Sequence, residues 1–143
     1  MPSARRRART LALQTLYEVD TVGHPAPETL DRLAGSVRFK DDKDRGEVSD
    51  FARELVQGVL KHRERIDAVI AQAAPAWPVE QLAVIDRNVL RLAILEVLIN
   101  NRTPVRAAIN EAVELAKTFG SDSSARFVNG VLGQISASAT SRG

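Results

Sequence analysis

Apolar residues near the start of the chain recur every three or four positions, which is the spacing of an amphipathic helix. Gln14 and Glu18 fall on the opposite side of the helical wheel, so the segment has one core-facing side and one solvent-facing side. The pattern predicts a first helix from about Ala4 to Thr21. Its apolar stripe consists of Ala8, Ala12, Leu16 and Val19, with Leu13 beside them.

The rest of the chain shows the same helical spacing, interrupted by glycine and proline. No stretch alternates apolar and polar residues as a half-buried strand would. Segment 84–100 is apolar on nearly every side, which predicts a helix in the middle of a bundle. The predicted helices after the first are 28–39, 46–62, 64–73, a short one at 79–82, 84–100, 104–119 and 123–138.

Pro75 and Pro78 interrupt the helical pattern near the middle of the chain. The sequence therefore predicts an all-α fold, a compact bundle of about seven helices in two small helical subdomains. We expect the subdomains at about 1–75 and 76–138, and a disordered tail at 139–143, where serine and other small residues dominate.

Helix ends are predicted from capping residues. Asp44 followed by Glu47 is typical of a capping box that opens the third helix. Thr103 before Pro104 is expected to cap the sixth helix, and Gly120 to end it. The aspartates at 41, 42 and 44 lack the glycine and terminal glutamate of a calcium loop. A solvated turn and a helix cap are therefore expected there, not a metal site.

Arginine is concentrated at the N-terminus of a chain whose formal net charge is only +2. Arg5, Arg6, Arg7 and Arg9 form this N-terminal arginine cluster, and no acidic residue offsets it before Glu18. Like charges at this spacing repel on a helix. Unpaired arginine side chains are also too costly to bury in an apolar core. We expect the first turn or two to project beyond the core or to fray, and the cluster to contact nucleic acid.

Composition excludes several classes of function. The chain has no cysteine and only two histidines, which excludes a disulfide scaffold and a thiolate metal site and disfavours a histidine-rich one. Neither a glycine-rich phosphate loop nor a catalytic constellation is evident, so we expect no cofactor, no metal and no enzymatic activity. No apolar run approaches the ~20 residues of a membrane span, and no signal peptide is evident. A cytoplasmic protein is expected.

Four residues keep alternative interpretations. Glu96 falls on the apolar side of its helix, so it requires a buried basic or amide group as partner, or a surface covered by another protein. Glu80 and Asp86 bracket the start of the central helix, where they interact with the helix dipole or form an acidic docking patch. Trp77 lies between two prolines, and a plug between helices is favoured over a stacking surface for a base.

Four blocks of sequence resemble the transcription antitermination factor family NusB. The third block, together with the short fourth block that follows it, is the most specific, and the blocks frame almost the whole chain. They are RRRARTLALQTLY at 5–17, VIDRNVLRLAILE at 84–96, AINEAVELAKTFG at 108–120 and RFVNGVL at 126–132.

The resemblance implies a non-catalytic, all-helical protein with two small helical subdomains. Such proteins bind the boxA element of ribosomal-operon RNA together with NusE, a small-subunit ribosomal protein, and join the elongating RNA polymerase complex to suppress termination. It implies that Ser123 and Arg126 lie near the RNA surface of the arginine cluster, and that Glu80 and Asp86 face NusE. Replacing all four arginines of the cluster with alanine is then expected to weaken RNA binding strongly and to leave folding almost unchanged.

The sequence departs from the NusB family pattern at two positions, and two alternative functions remain open. The family often has an aromatic residue at the position of Leu95 and an acid at that of Gly133, which leaves details of partner packing open. A NusB-like domain also precedes the catalytic domain of an rRNA cytosine methyltransferase family, but no methyl-donor domain is evident in this chain. The other alternative is a plain helical scaffold, with a possible homodimer through an apolar helix face.

Overall fold

The computed structural model describes the backbone of residues 2–142 and the side chains of residues 2–138. Every regular element within that range is helical. The chain divides into two compact units, Met1–Lys61 and His62–Gly143. The sequence predicted the division near residue 75. It falls earlier because α4 (Arg63–Ala73) packs against α5 (Val84–Ile94) and α7 (Ser124–Arg142) of the second unit.

The first unit is built from three helices, with α1 packed against both of the others. Its core contains the predicted apolar stripe, since Ala8, Ala12 and Leu16 are each at most 2% exposed. On α3, Val48 and Leu55 are fully buried. The helices are α1 Ala4–Val22, α2 Ala26–Ala34 and α3 Asp42–Lys61.

Helix α3 begins four residues before the predicted start at Gly46. The capping box was wrong, because Asp44 lies within the first turn and Asp41 is the cap. The Asp41 carboxylate accepts a hydrogen bond from the Asp44 backbone N–H at 2.9 Å. The aspartate run therefore combines a helix cap with an internal acidic residue, and it leaves the Asp44 side chain available for a partner elsewhere.

The second unit surrounds α5, which contacts α4, α6 and α7 as the apolar pattern predicted. Every residue from Asn88 to Val97 is buried, including Arg91, whose guanidinium donates to both carboxylate oxygens of Asp67 at 2.9 and 3.0 Å. The elements of the second unit are α4, a 3₁₀ turn Val79–Gln81, α5 Val84–Ile94, a π-helical turn Leu95–Ile99, α6 Val105–Phe119 and α7 Ser124–Arg142.

The π-helical turn interrupts the continuous helix expected over 84–100. Glu96 within it is 2% exposed and accepts a hydrogen bond from the Thr103 hydroxyl at 2.7 Å. Thr103 is therefore not the N-cap of α6, because its hydroxyl serves the buried carboxylate and Pro104 takes the cap position without a side-chain bond. Glu96 is therefore buried as expected, and the partner seen here is a hydroxyl where the sequence predicted a basic or amide group.

The helix α7 continues to Arg142, whereas the sequence predicted an end near Ser138 and a disordered tail. Alanine at 137 and 139 favours the continuation, since it is the strongest helix former. Gly143 lies outside the described residues. Gly120 ends α6 as predicted, and its N–H donates to the Ala116 carbonyl at 2.9 Å.

Candidate nucleic-acid interface

The N-terminal arginine cluster lies on the first two turns of α1. Ser3 caps this helix by accepting a hydrogen bond from the Arg6 backbone N–H at 3.1 Å. Arg5 and Arg6 are exposed, Arg7 is intermediate and Arg9 is only 6% exposed. The expected projecting or frayed first turn was wrong, because the cluster packs against α3 within the first unit.

Arg7 is held by an ion pair that sequence reasoning missed. Its guanidinium donates to the two carboxylate oxygens of Asp44 at 2.7 and 2.9 Å, and to the Arg38 carbonyl at 3.2 Å. Asp44 also accepts the Lys40 backbone N–H at 2.9 Å. Arg7 therefore connects the start of α1 to the start of α3.

These contacts shift the pKa values of both ionisable groups in the directions expected for an ion pair. The Arg7 hydrogen bonds, followed by the Lys40 N–H, lower the pKa of Asp44 to about 2. The same carboxylate raises the pKa of Arg7. Both groups are thus fully charged at neutral pH, and the Arg7 guanidinium is already committed within the protein.

Phe51 organises two other members of the cluster. The guanidinium of Arg5 lies over the Phe51 ring at 4.8 Å from its centroid, and that of Arg9 at 5.5 Å. Phe51 itself is 8% exposed. A guanidinium stacked by its face keeps its in-plane N–H donors for other acceptors. The ring therefore orients Arg5 while leaving its edge able to bind a phosphate.

The structure consequently separates the four arginines into two pairs. Arg5 and Arg6 present cationic side chains at the surface, whereas Arg7 and Arg9 belong to the packing of the first unit. The expectation that all four can be replaced without effect on folding is therefore wrong. Replacing Arg7 leaves the Asp44 carboxylate without its cation, and such uncompensated charges are costly when water is largely excluded.

We predict that an Asp44→Asn variant differs from the parent in a pH-dependent way. The folded-state pKa lies below the ordinary value of 3.8, so Asp44 stabilises the fold above about pH 4 and loses this contribution as the pH falls towards 2. Urea unfolding should show a variant that is less stable than the parent at pH 7, with a difference that shrinks as the pH falls through about 2. Asp42→Asn, an exposed neighbour, is the control, and a constant difference between Asp44→Asn and the parent at all pH values would contradict the assignment.

The other predicted site residues lie in the second unit. Ser123 and Arg126 are exposed at the start of α7, and Glu80 is exposed in the 3₁₀ turn. Asp86 is 8% exposed, in the first turn of α5, and its Oδ1 atom is buried with no hydrogen-bond partner among the described residues. That oxygen is a buried acceptor with no donor among the described residues.

Three of these residues line a single groove. Asp86, Ser123 and Arg126 share it with Trp77 and Phe127, and its volume is about 540 Å³. The expectation that Trp77 plugs a helix junction was wrong, since its side chain is 63% exposed. Prolines 75 and 78 hold it outside the core. We call this depression the Trp77 groove.

The described residues form no cluster suited to a metal ion. Among residues 2–142 no group of three or more His, Cys, Asp or Glu side chains lies close enough to hold a metal ion. Within the same range no helix is long and apolar enough to cross a membrane. The arrangement instead presents exposed cations in one unit and a groove with mixed charge in the other.

Comparisons with known proteins identify the family. A model of the NusB family matches residues 6–137. The transcription antitermination protein NusB of Dehalococcoides mccartyi strain CBDB1 is 52% identical over 136 residues, which cover 95% of this chain and 92% of the relative. The NusB of Chloroflexus aggregans is 48% identical over 137 residues, covering 94% and 88% of the two chains.

Solved structures agree with the sequence relatives. NusB of T. maritima superposes with a TM-score of 0.82 at 30% identity, over 96% of this chain and 93% of the other. A crystal structure of antitermination factors NusB and NusE in complex with dsRNA matches with a TM-score of 0.82 at 26% identity, over 96% and 99%. The chain therefore belongs to the NusB family of transcription antitermination proteins.

Proposed function

We propose that this protein binds boxA RNA of ribosomal-operon transcripts jointly with NusE and, within the elongating RNA polymerase complex, suppresses termination. The observation that carries the proposal is the match over nearly the full chain to a NusB that was solved with NusE and RNA. The exposed arginines and the groove of this chain supply suitable chemistry. We infer that the protein acts in the cytoplasm, where transcription occurs, and by binding alone, without catalysis.

RNA affinity in this proposal is mainly electrostatic. Arg5 and Arg6 neutralise phosphates from the first unit, while Arg126 and the Ser123 hydroxyl bind RNA from the second. Arg7 and Arg9 act indirectly, because they fix the first turns of α1 on which the exposed arginines stand. Aromatic residues make up 4% of the chain, which limits base stacking and favours modest affinity without NusE.

Glu80 and Asp86 are proposed to receive NusE. Glu80 is an exposed acid within the 3₁₀ turn, and Arg87 donates to its backbone carbonyl at 2.8 Å, which holds the turn against α5. The Asp86 Oδ1 atom has no partner within the described residues. A basic side chain of NusE would satisfy this oxygen and convert an unfavourable buried acceptor into a charge-assisted contact.

Joint retention of both partners tests the proposal. The tagged protein is mixed with purified NusE and with either a boxA RNA or an unrelated RNA of equal length. We expect NusE and boxA RNA to be retained together, and more RNA in the presence of NusE than in its absence. If retention of boxA RNA does not exceed that of the unrelated RNA with NusE present, the proposed function is wrong.

An Asp86→Asn variant separates the two partners. It keeps the size of the side chain and removes its charge, so NusE affinity should fall about tenfold or more, as for loss of one charge-assisted hydrogen bond. Affinity for RNA alone should change less than affinity for NusE. Calorimetry with each partner measures both values, and Glu64→Gln, an exposed acid in the first turn of α4, is the control. Normal NusE binding by Asp86→Asn would remove Asp86 from the proposed interface.

A further inference from the structure

Trp77 is a large aromatic side chain that the fold leaves in solvent. It is the single tryptophan of the chain, and its side chain is 63% exposed. Proline rings at 75 and 78 restrict the backbone on either side of it. An exposed indole on a restricted turn costs hydrophobic free energy and contributes nothing visible to the core, which indicates a binding role.

The walls of the Trp77 groove carry a specific pattern of charge. Arg126 is exposed on α7 and Ser123 in the turn just before it, and Arg126 makes no ion pair with any described residue. Asp86 contributes a buried carboxylate oxygen. A phosphate is repelled by that carboxylate and attracted by the exposed guanidinium. These charges favour an uncharged group inside the groove and an anionic group outside it at Arg126.

We propose that the Trp77 groove holds one unpaired RNA base stacked on the indole, with the adjoining phosphate at Arg126. The inference rests on the proposed function and adds a second RNA contact point besides the arginine cluster. The groove volume of about 540 Å³ lies within the range of ~300–1,000 Å³ typical of small-ligand sites, so it has room for a base. Because every base has a π-face, the stack adds affinity with little sequence preference.

The single tryptophan provides a site-specific signal. Titrating a single-stranded boxA RNA into the protein should quench Trp77 fluorescence along the same binding curve that filter retention gives. The titration is done without NusE, because Asp86 in the same groove is proposed to receive NusE. If saturating RNA leaves the emission of Trp77 unchanged, the base-stacking proposal is overturned.

Substitutions test the same point through affinity. Trp77→Ala should weaken RNA binding about 5- to 150-fold, the range for loss of one base–aromatic stack. Trp77→Phe should recover much of that loss because it keeps an aromatic ring. Val105→Ala removes another exposed apolar side chain of the second unit and should have no effect. Circular dichroism establishes that each variant folds.

The two proposals fail in different ways. If the parent protein binds boxA RNA with NusE but Trp77→Ala binds it equally well, only the stacking proposal is wrong. If the parent protein shows no preference for boxA RNA, the proposed function fails. An effect of Trp77→Ala that Trp77→Phe does not relieve would also contradict stacking, since a ring of either size provides a π-face.

Discussion

Replacing both Arg5 and Arg6 with alanine is expected to weaken boxA RNA binding about 25-fold at 0.1 M salt. Each phosphate neutralised on a single strand contributes about 0.7 to the slope of log affinity against log salt, so two contribute about 1.4. Over the tenfold range from 1 M to 0.1 M salt, this slope corresponds to about 25-fold in affinity. Filter binding over a series of salt concentrations measures the affinity and the slope together. Urea unfolding should show a small loss of stability, because both side chains are exposed and the stacking of Arg5 on Phe51 is worth about 0.5–1 kcal/mol.

Charge-matched controls make this result specific. Arg65 and Arg106 are exposed arginines of the second unit, and replacing both with alanine removes the same net charge. That control should bind RNA nearly as well as the parent. The variant with all four cluster residues replaced should lose stability in addition to affinity, since it also removes the Arg7–Asp44 ion pair. Equal RNA affinity of the Arg5/Arg6 variant and the control would contradict the assigned RNA surface.

Gly120→Ala is expected to lower the free energy of unfolding by about 1–3 kcal/mol, the usual cost of forcing extra volume into a packed site. A Cβ atom at this position would lie 2.4 Å from the Ser124 hydroxyl oxygen and 2.7 Å from the Ala116 carbonyl oxygen. The carbonyl belongs to the backbone of α6 and cannot move without disturbing that helix. Displacing Ser124 also breaks the hydrogen bond that its oxygen accepts from the Ser121 N–H at 2.9 Å.

The same substitution at Gly133 should have the opposite sign. A Cβ atom there meets nothing within 4 Å, and the position lies inside α7, where alanine is favoured over glycine by about 0.5–1 kcal/mol. Urea unfolding of the two variants under one condition provides the comparison. If Gly120→Ala is as stable as Gly133→Ala, the close approach of α6 and α7 does not require glycine. Because Gly120 precedes Ser123 and Arg126, its replacement should weaken RNA binding as well.

Local patterns carried much of the information about this protein. The continuous apolar surface of segment 84–100 predicted the buried position of α5, because no other location hides all sides of such a helix. Gly120 was identified as the end of α6 from its position after the last apolar repeat. The conspicuous arginine cluster and the four sequence blocks indicated the family, which the comparisons confirmed.

Contacts between residues far apart in sequence were decided by the tertiary structure alone. Asp44 lies 37 positions from Arg7, and no local pattern distinguishes the aspartate that pairs with an arginine from one that caps a helix. The same holds for Phe51, which orients Arg5 and Arg9 only after α1 and α3 pack together. Packing therefore determined which arginines are exposed and which are buried.

The sequence by itself determined the helical class, the family and the type of partner, since periodicity and charge are properties of short segments. Only the tertiary structure decided that Arg5 and Arg6 face solvent while Arg7 and Arg9 are used internally. It also exposed Trp77, although tryptophan is usually buried. The physical reason is that exposure and ion pairing depend on which distant surfaces meet, and that outcome minimises the free energy of the whole chain.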